Sequence, residues 1–208
     1  MVSNNNKYLN NMKKYFMMLA AVLCCTMMTT VFTACGGDDD DDNNPPKKEE
    51  ILGIGAHYTF SVTEQMSQLC DYTITYYGND NKLATEEPTW TVKDGVATWE
   101  KTVSSINMPA PFGIRVKVRV KDNTDLEGVK VENVYPITEK MFVEGVTTEG
   151  DPAWEKTILF NGNVSTHAST SGDKLRAFLE AMENHGGMVN KCYTFDKEGN
   201  EIASGTIE

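Results

Sequence analysis

From about residue 55 the chain alternates. Tyr58, Phe60 and Val62 take every second place, with His57, Thr59 and Ser61 between them. Cys70, Tyr72, Ile74 and Tyr76 do the same against Asp71, Thr73, Thr75 and Tyr77. Phe112, Ile114, Val116, Val118 and Val120 make the longest such face, and Val129, Val131 and Tyr135 follow. A period of two puts one set of side chains on one face of a strand. Short runs of it separated by turns predict a mainly β chain folded as an antiparallel sandwich. Gly78-Asn79-Asp80-Asn81 is one turn. Asp94-Gly95, between the runs 89–93 and 96–100, favours a two-residue type I′ hairpin. Its register sets residue 93 against 96, 92 against 97 and 90 against 99. Trp90 and Trp99 are then expected to face one another on the core side with Val92 and Ala97.

The period changes once. Leu175, Phe178, Leu179 and Met182 fall at helical spacing, which predicts one α-helix at about 172–185. Thr170 with Asp173 looks like its capping box, and Gly186 fits its stop. Further strands are expected at 141–143 and 157–160, and a hairpin from 189–195 and 201–207 around Lys197-Glu198-Gly199-Asn200. No low-complexity segment divides 55–208, so it reads as a single domain. At about 150 residues such a domain buries about 70% of its unfolded surface and folds without a metal or a disulfide.

The first 34 residues read differently. Met12-Lys13-Lys14 is a positive n-region, the apolar run from Tyr15 to Cys25 is an h-region, and small Ala34 stands directly before Cys35. About twenty apolar residues also suit a membrane span, but Thr26, Thr29, Thr30 and Thr33 count against one. Residues 1–11 fit no part of a leader, so Met12 is a candidate initiator. Phe32-Thr33-Ala34-Cys35 resembles a bacterial lipobox, with Phe where the family usually has Leu. The resemblance implies cleavage between Ala34 and Cys35, lipidation of Cys35, and a membrane partner through that lipid. An ordinary secretory signal with a chance cysteine is the competing reading. Residues 35–54 then form a tether: Gly36-Gly37, the run Asp38 to Asp42, Pro45-Pro46 and Lys47-Lys48-Glu49-Glu50 cannot bury a core.

An acidic tract after such a cysteine resembles the export signal of Bacteroidetes surface lipoproteins. With "CDYTITYYGNDNK", "TWTV…TWEK" and "MPAPFGIRVKVRVK", residues 12–135 are similar to a group of small Bacteroidetes surface lipoproteins with immunoglobulin-like β-sandwiches. That resemblance implies an outer-membrane location, facing outside the cell or the periplasm. Its motifs are structural and bring no catalytic residue with them.

Charge and candidate chemistry narrow the function classes. The formal net charge is −11, and removing residues 1–34 leaves 16 basic against 30 acidic side chains, a net of −14. Such a surface repels phosphate backbones, so nucleic acid is not expected as a partner. His57, His167 and His185 share no metal-ligand spacing and there is no C-x-x-C, so no metal is expected. Neither a G-x-S-x-G nor a phosphate-binding glycine motif is present, and no cofactor is expected. Ser165, His167, Ser169 and Ser171 crowd one loop without the orienting third group of a triad. Asp122, Asn123, Asp125 and Glu127 make an oxygen-rich loop without EF-hand spacing. The least ordinary feature is Arg115, Lys117, Arg119 and Lys121 in a row opposite the Phe112–Val120 face. It reads as a face paired with neighbouring acids, or as a docking stripe for an anionic glycan or protein. Trp154 is a candidate sugar platform. Cys70 has inward parity and Cys192 outward parity, which argues against a bridge. The leading expectation is a non-enzymatic binding or scaffolding lipoprotein. The alternatives are a glycan-binding accessory and a small glycan or peptide hydrolase.

Overall fold

The structure, a computed structural model, describes residues 50–148, 150–160 and 168–208. The leader, Ala34, Cys35 and the acidic run lie outside the described residues. Among the described residues, twelve strands and two α-helices follow one another: β1 (Ile51–Thr63), α1 (Glu64–Leu69), β2 (Cys70–Tyr77), β3 (Leu83–Glu86), β4 (Thr91–Lys93), β5 (Val96–Ser105), β6 (Ala110–Val120), β7 (Lys130–Val131), β8 (Thr138–Thr147), β9 (Glu155–Leu159), β10 (Thr170–Ser171), α2 (Gly172–Asn184), β11 (Val189–Phe195) and β12 (Glu201–Gly205). One antiparallel sheet has the order β4-β5-β1-β8-β9, the other β12-β11-β6-β2-β3, and β7 pairs with β10 in a small ladder. The chain is an antiparallel β-sandwich, and its first strand begins at Ile51, four residues before the expected boundary.

Alternation builds the core as the sequence predicts. Tyr58, Phe60 and Val62 of β1, the even residues of β2 and the even residues of β6 are buried in one cluster between the sheets. Rings cross the interface: Phe60 lies 6.0 Å from Tyr72, Tyr58 5.8 Å from Tyr76, and Tyr76 5.5 Å from Trp99. One ring also repairs a ladder. Pairing of β2 with β6 ends at Tyr76 opposite Ile114. At the next rung the Tyr58 hydroxyl accepts from the Gly113 N–H at 3.1 Å and donates to the Tyr77 carbonyl at 2.9 Å. Two backbone groups that would be buried without a partner are thereby satisfied.

Three local expectations are corrected. The Asp94-Gly95 hairpin has the expected register, and both residues have positive φ (52° and 76°) as a type I′ turn requires. The two tryptophans do not stack as a cross-strand pair, however. β4 is a three-residue edge strand starting at Thr91, so Trp90 has left the ladder and Val92 is 49% exposed. Trp90 packs edge-on against Tyr72 at 5.3 Å, while Trp99, 3% exposed, lies against Tyr58 and Tyr76. A second helix exists: Thr63 caps α1 by accepting the Met66 N–H, and Met66 is fully buried. Finally, α2 starts from Ser171 rather than Thr170, and the Ser171 hydroxyl bonds the Asp173 carboxylate, holding that acid below its usual range. The expected stop is present, with Gly186 and Gly187 at φ 102° and 95°.

Cys70 and Cys192 are both free. Each pairs with β6, Cys70 opposite Val120 and Cys192 opposite Gly113. Seven residues along a strand is about 24 Å, far beyond disulfide reach. Thiol titration of the unreduced, denatured domain 51–208 should find two free thiols. None, with a melting temperature that drops on reduction, would contradict this placement.

Candidate functional site

The row of four bases lies on the outer face of β6, as alternation predicts, and each base meets a partner within the domain. Lys117 Nζ is 3.2 Å from Glu183 Oε1 at the end of α2, with Arg115 4.0 Å from the same oxygen. Arg119 bridges Asp71 at 3.1 Å and Asp122 at 3.6 Å. Lys121 donates to the carbonyls of Ser67 and Gln68, the last turn of α1, where a cation suits the helix dipole. The arrangement ties α1, β2 and α2 to β6. The row pairs with acids and carbonyls of neighbouring elements, and the Lys117 and Arg119 side chains stay 47% and 67% exposed.

Trp154 is likewise engaged. Its ring lies against Gly145 of β8 and Gly199 of the β11–β12 turn, so closely that a Cβ at either glycine would fall 2.6 Å from it. Its Nε1–H donates to the Lys197 carbonyl at 2.9 Å, and Lys156 Nζ donates to the Gly199 carbonyl. Trp154, half-buried, is a clamp between the two sheets. A matching clamp holds the other flank. Glu86 of β3 accepts from Trp99 Nε1 at 2.8 Å, from the Tyr76 hydroxyl at 2.9 Å and from Lys101 Nζ at 2.8 Å. These donors bring the Glu86 carboxyl below its usual range despite its desolvation.

The two ends of the sandwich differ. At one end Ile51 lies opposite Thr147; at the other, Thr63 lies opposite Val96. The Thr63 end carries α1, the Asp94-Gly95 turn and the β7–β10 ladder, while the β2–β3, β5–β6 and β11–β12 turns lie at the Ile51 end. The Glu64 N–H, at the start of α1, donates to the Gly95 carbonyl, and the Gln65 side chain donates to the Lys130 carbonyl and accepts the Glu132 N–H. Ser169 donates to Glu132 at 2.6 Å. Ser165 and His167 lie outside the described residues. The loop of Asp122, Asn123, Asp125 and Glu127 sits at this end as an ordinary turn, with the Glu127 N–H bonded to Asp125. Among the described residues no three metal-ligating side chains converge. On the outer face of β1, His57 Nδ1 is 2.9 Å from the Thr102 hydroxyl and Nε2 is 3.7 Å from Glu100. His185 bonds the Ala181 carbonyl at the end of α2.

One interior residue was not singled out from the sequence. Glu139 shares the inward parity of Met141 and Val143 on β8, lies opposite Phe60 on β1, and is 3% exposed. Among the described residues its buried Oε1 has no hydrogen-bond partner. Burial alone raises its carboxyl to about 8. Glu144, on the outer face of the same strand and opposite Glu155, is raised to about 7 by burial and by that neighbouring carboxylate. Both signals were present as acids in an alternating run.

No protein-family model matches the chain, and searches of the curated proteins and of the solved structures found no match.

Proposed function

We propose that the chain is a lipid-anchored, non-enzymatic binding module of an outer membrane, displayed on the cell surface, with the Thr63 end of the sandwich as its presenting end. One observation carries this reading. The described fold begins at Ile51, at the end of the central strand β1 opposite to α1, the Asp94-Gly95 turn and the β7–β10 ladder. A tether entering there from Cys35 directs the end with α1, the Asp94-Gly95 turn and the β7–β10 ladder away from the membrane. Exposed loops on a rigid sandwich are where binding residues concentrate. The clamps at Trp154 and Glu86 support rigidity of the sandwich itself. The partner class this end suits best is a surface protein, because the one sugar-platform candidate, Trp154, is packed at the opposite end of the fold.

Protease added to intact cells tests the reading. Cleavage should occur within the tether, releasing a resistant fragment that contains 51–208. Protection until the outer membrane is permeabilised would contradict surface display.

A further inference from the structure

All five residues of β12 are exposed, and its ladder with β11 shifts register between Thr194 and Phe195. The strand's own side chains add little to the core. It is held at its two ends instead. At the Ile51 end the β11–β12 turn is gripped by Trp154, whose ring lies against Gly199 and whose Nε1–H donates to the Lys197 carbonyl. The other end is held by one residue beyond the strand. Cys192 stands opposite Gly205, and the same register brings Ile207 to Asn190. The Asn190 side chain takes the place of a ladder rung there. Its Nδ2–H donates to the Ile207 carbonyl at 3.0 Å, and its Oδ1 accepts the Ile207 N–H at 2.7 Å. Ile207 is 2% exposed, yet it lies outside the main hydrophobic cluster. Asn190 stands opposite Arg115, so it has the outer parity of β11. The chain after Gly205 therefore turns onto the outer face of the sheet. Tyr77, on the outer face of β2, agrees with this path: burial raises its hydroxyl, and so do the neighbouring Cys192 and Glu208.

We infer that residues 206–208 are a strap: Ile207 latches β12 from the outer face, and release of that one residue frees the strand as a unit, with the Trp154-gripped turn as its hinge. The chemistry favours two states. The two bonds to Asn190 break together, because one planar amide supplies both. The Ile207 side chain leaves its socket in the same step, since its backbone is what Asn190 holds. What resists release in β12 itself is its ladder with β11, which the register shift interrupts. A segment with few buried apolar contacts opens at far lower free energy than the core. With the strap open, β11 becomes the edge of its sheet, and its backbone from Cys192 to Phe195 loses its partners on that side. Cys192 changes as well. In the closed state burial raises its thiol, against a hydrogen bond with the Gly205 backbone. Release takes that cover away. The strap thus decides whether the sheet ends on an exposed, irregular strand or on β11, which carries Val189, Tyr193 and Phe195.

Hydrogen exchange of the full-length chain, read by mass spectrometry, tests the strap. In the unaltered chain the 200–208 peptide should exchange faster than the β1 peptide 51–63, and slower than a free peptide of the same sequence. Asn190→Ala removes both latch bonds and should speed exchange of 200–208 about tenfold. Ile207→Ala should do at least as much, and neither variant should alter the β1 peptide. Ile202→Ala changes a side chain that is 54% exposed on the same strand and should leave 200–208 within about twofold of the unaltered chain. Iodoacetamide gives a second readout. In the Asn190→Ala chain Cys192 should label faster, while Cys70, buried in the core, keeps its original rate. Four results would each overturn the inference: 200–208 opening only together with β1, no response to Asn190→Ala, an equal response to Ile202→Ala, or a rise at Cys70 that matches the rise at Cys192.

Discussion

Glu139→Gln is expected to remove most of a pH dependence that the unaltered domain shows as a steady loss of stability between about pH 4.5 and 8. In the unfolded chain this carboxyl titrates near 4.5, and in the folded chain at about 8. A folded-state value raised above the unfolded one means that its contribution is fully present below pH 4.5 and is lost as pH rises through 8. At about 1.4 kcal/mol per pH unit the loss amounts to about 4–5 kcal/mol. The cause is desolvation: an ionised carboxylate would sit between the sheets opposite Phe60, its Oε1 with no donor among the described residues. Denaturant unfolding at pH 5 and pH 9 measures both proteins. Glu144 acts in the same direction near pH 7, so the Glu139→Gln chain keeps a smaller slope. In acid the sign reverses for Glu86 and Glu100, whose carboxyls are held low, and both proteins weaken there. Equal slopes in the two proteins between pH 5 and 9 would mean that water or a donor reaches Glu139.

The second large effect separates the two tryptophans of the hairpin. Trp99→Ala should cost about 3–5 kcal/mol, because a buried ring leaves a cavity between Tyr58 and Tyr76 and takes a donor from Glu86. Trp90→Ala should cost less than half of that, since the ring is only half-buried at the sheet edge, where water can fill the space it leaves beside Tyr72 and Phe60. Chemical denaturation of each variant decides the order. Equal losses would place Trp90 in the core with Trp99.

Much of the fold was legible because β1, β2 and β6 keep strict alternation over long stretches, and because Asp94-Gly95 admits few turn geometries. What was hidden has physical reasons. α1 has six residues, too few for a helical period to show. Trp90 leaves the ladder because β4 is short and unpaired on its outer side, and no local pattern reports an edge. The row at Arg115–Lys121 was visible, but most of its partners, Asp71, Glu183 and the α1 carbonyls, come from other elements, and only Asp122 is near in sequence. The role of Trp154 depends on Gly199 and Lys197, more than forty residues away. Glu139 left a trace, an acid at an inward position, which a parity reading of 138–147 would have found.

Attachment through Cys35 underlies the proposed display of the domain, and labelled palmitate measures it. Cells expressing the full chain should incorporate label and hold the protein in the membrane fraction, while Cys35→Ser should lose the label and leave an unlipidated precursor. Labelling of the Cys35→Ser chain to the normal extent would contradict attachment at this residue.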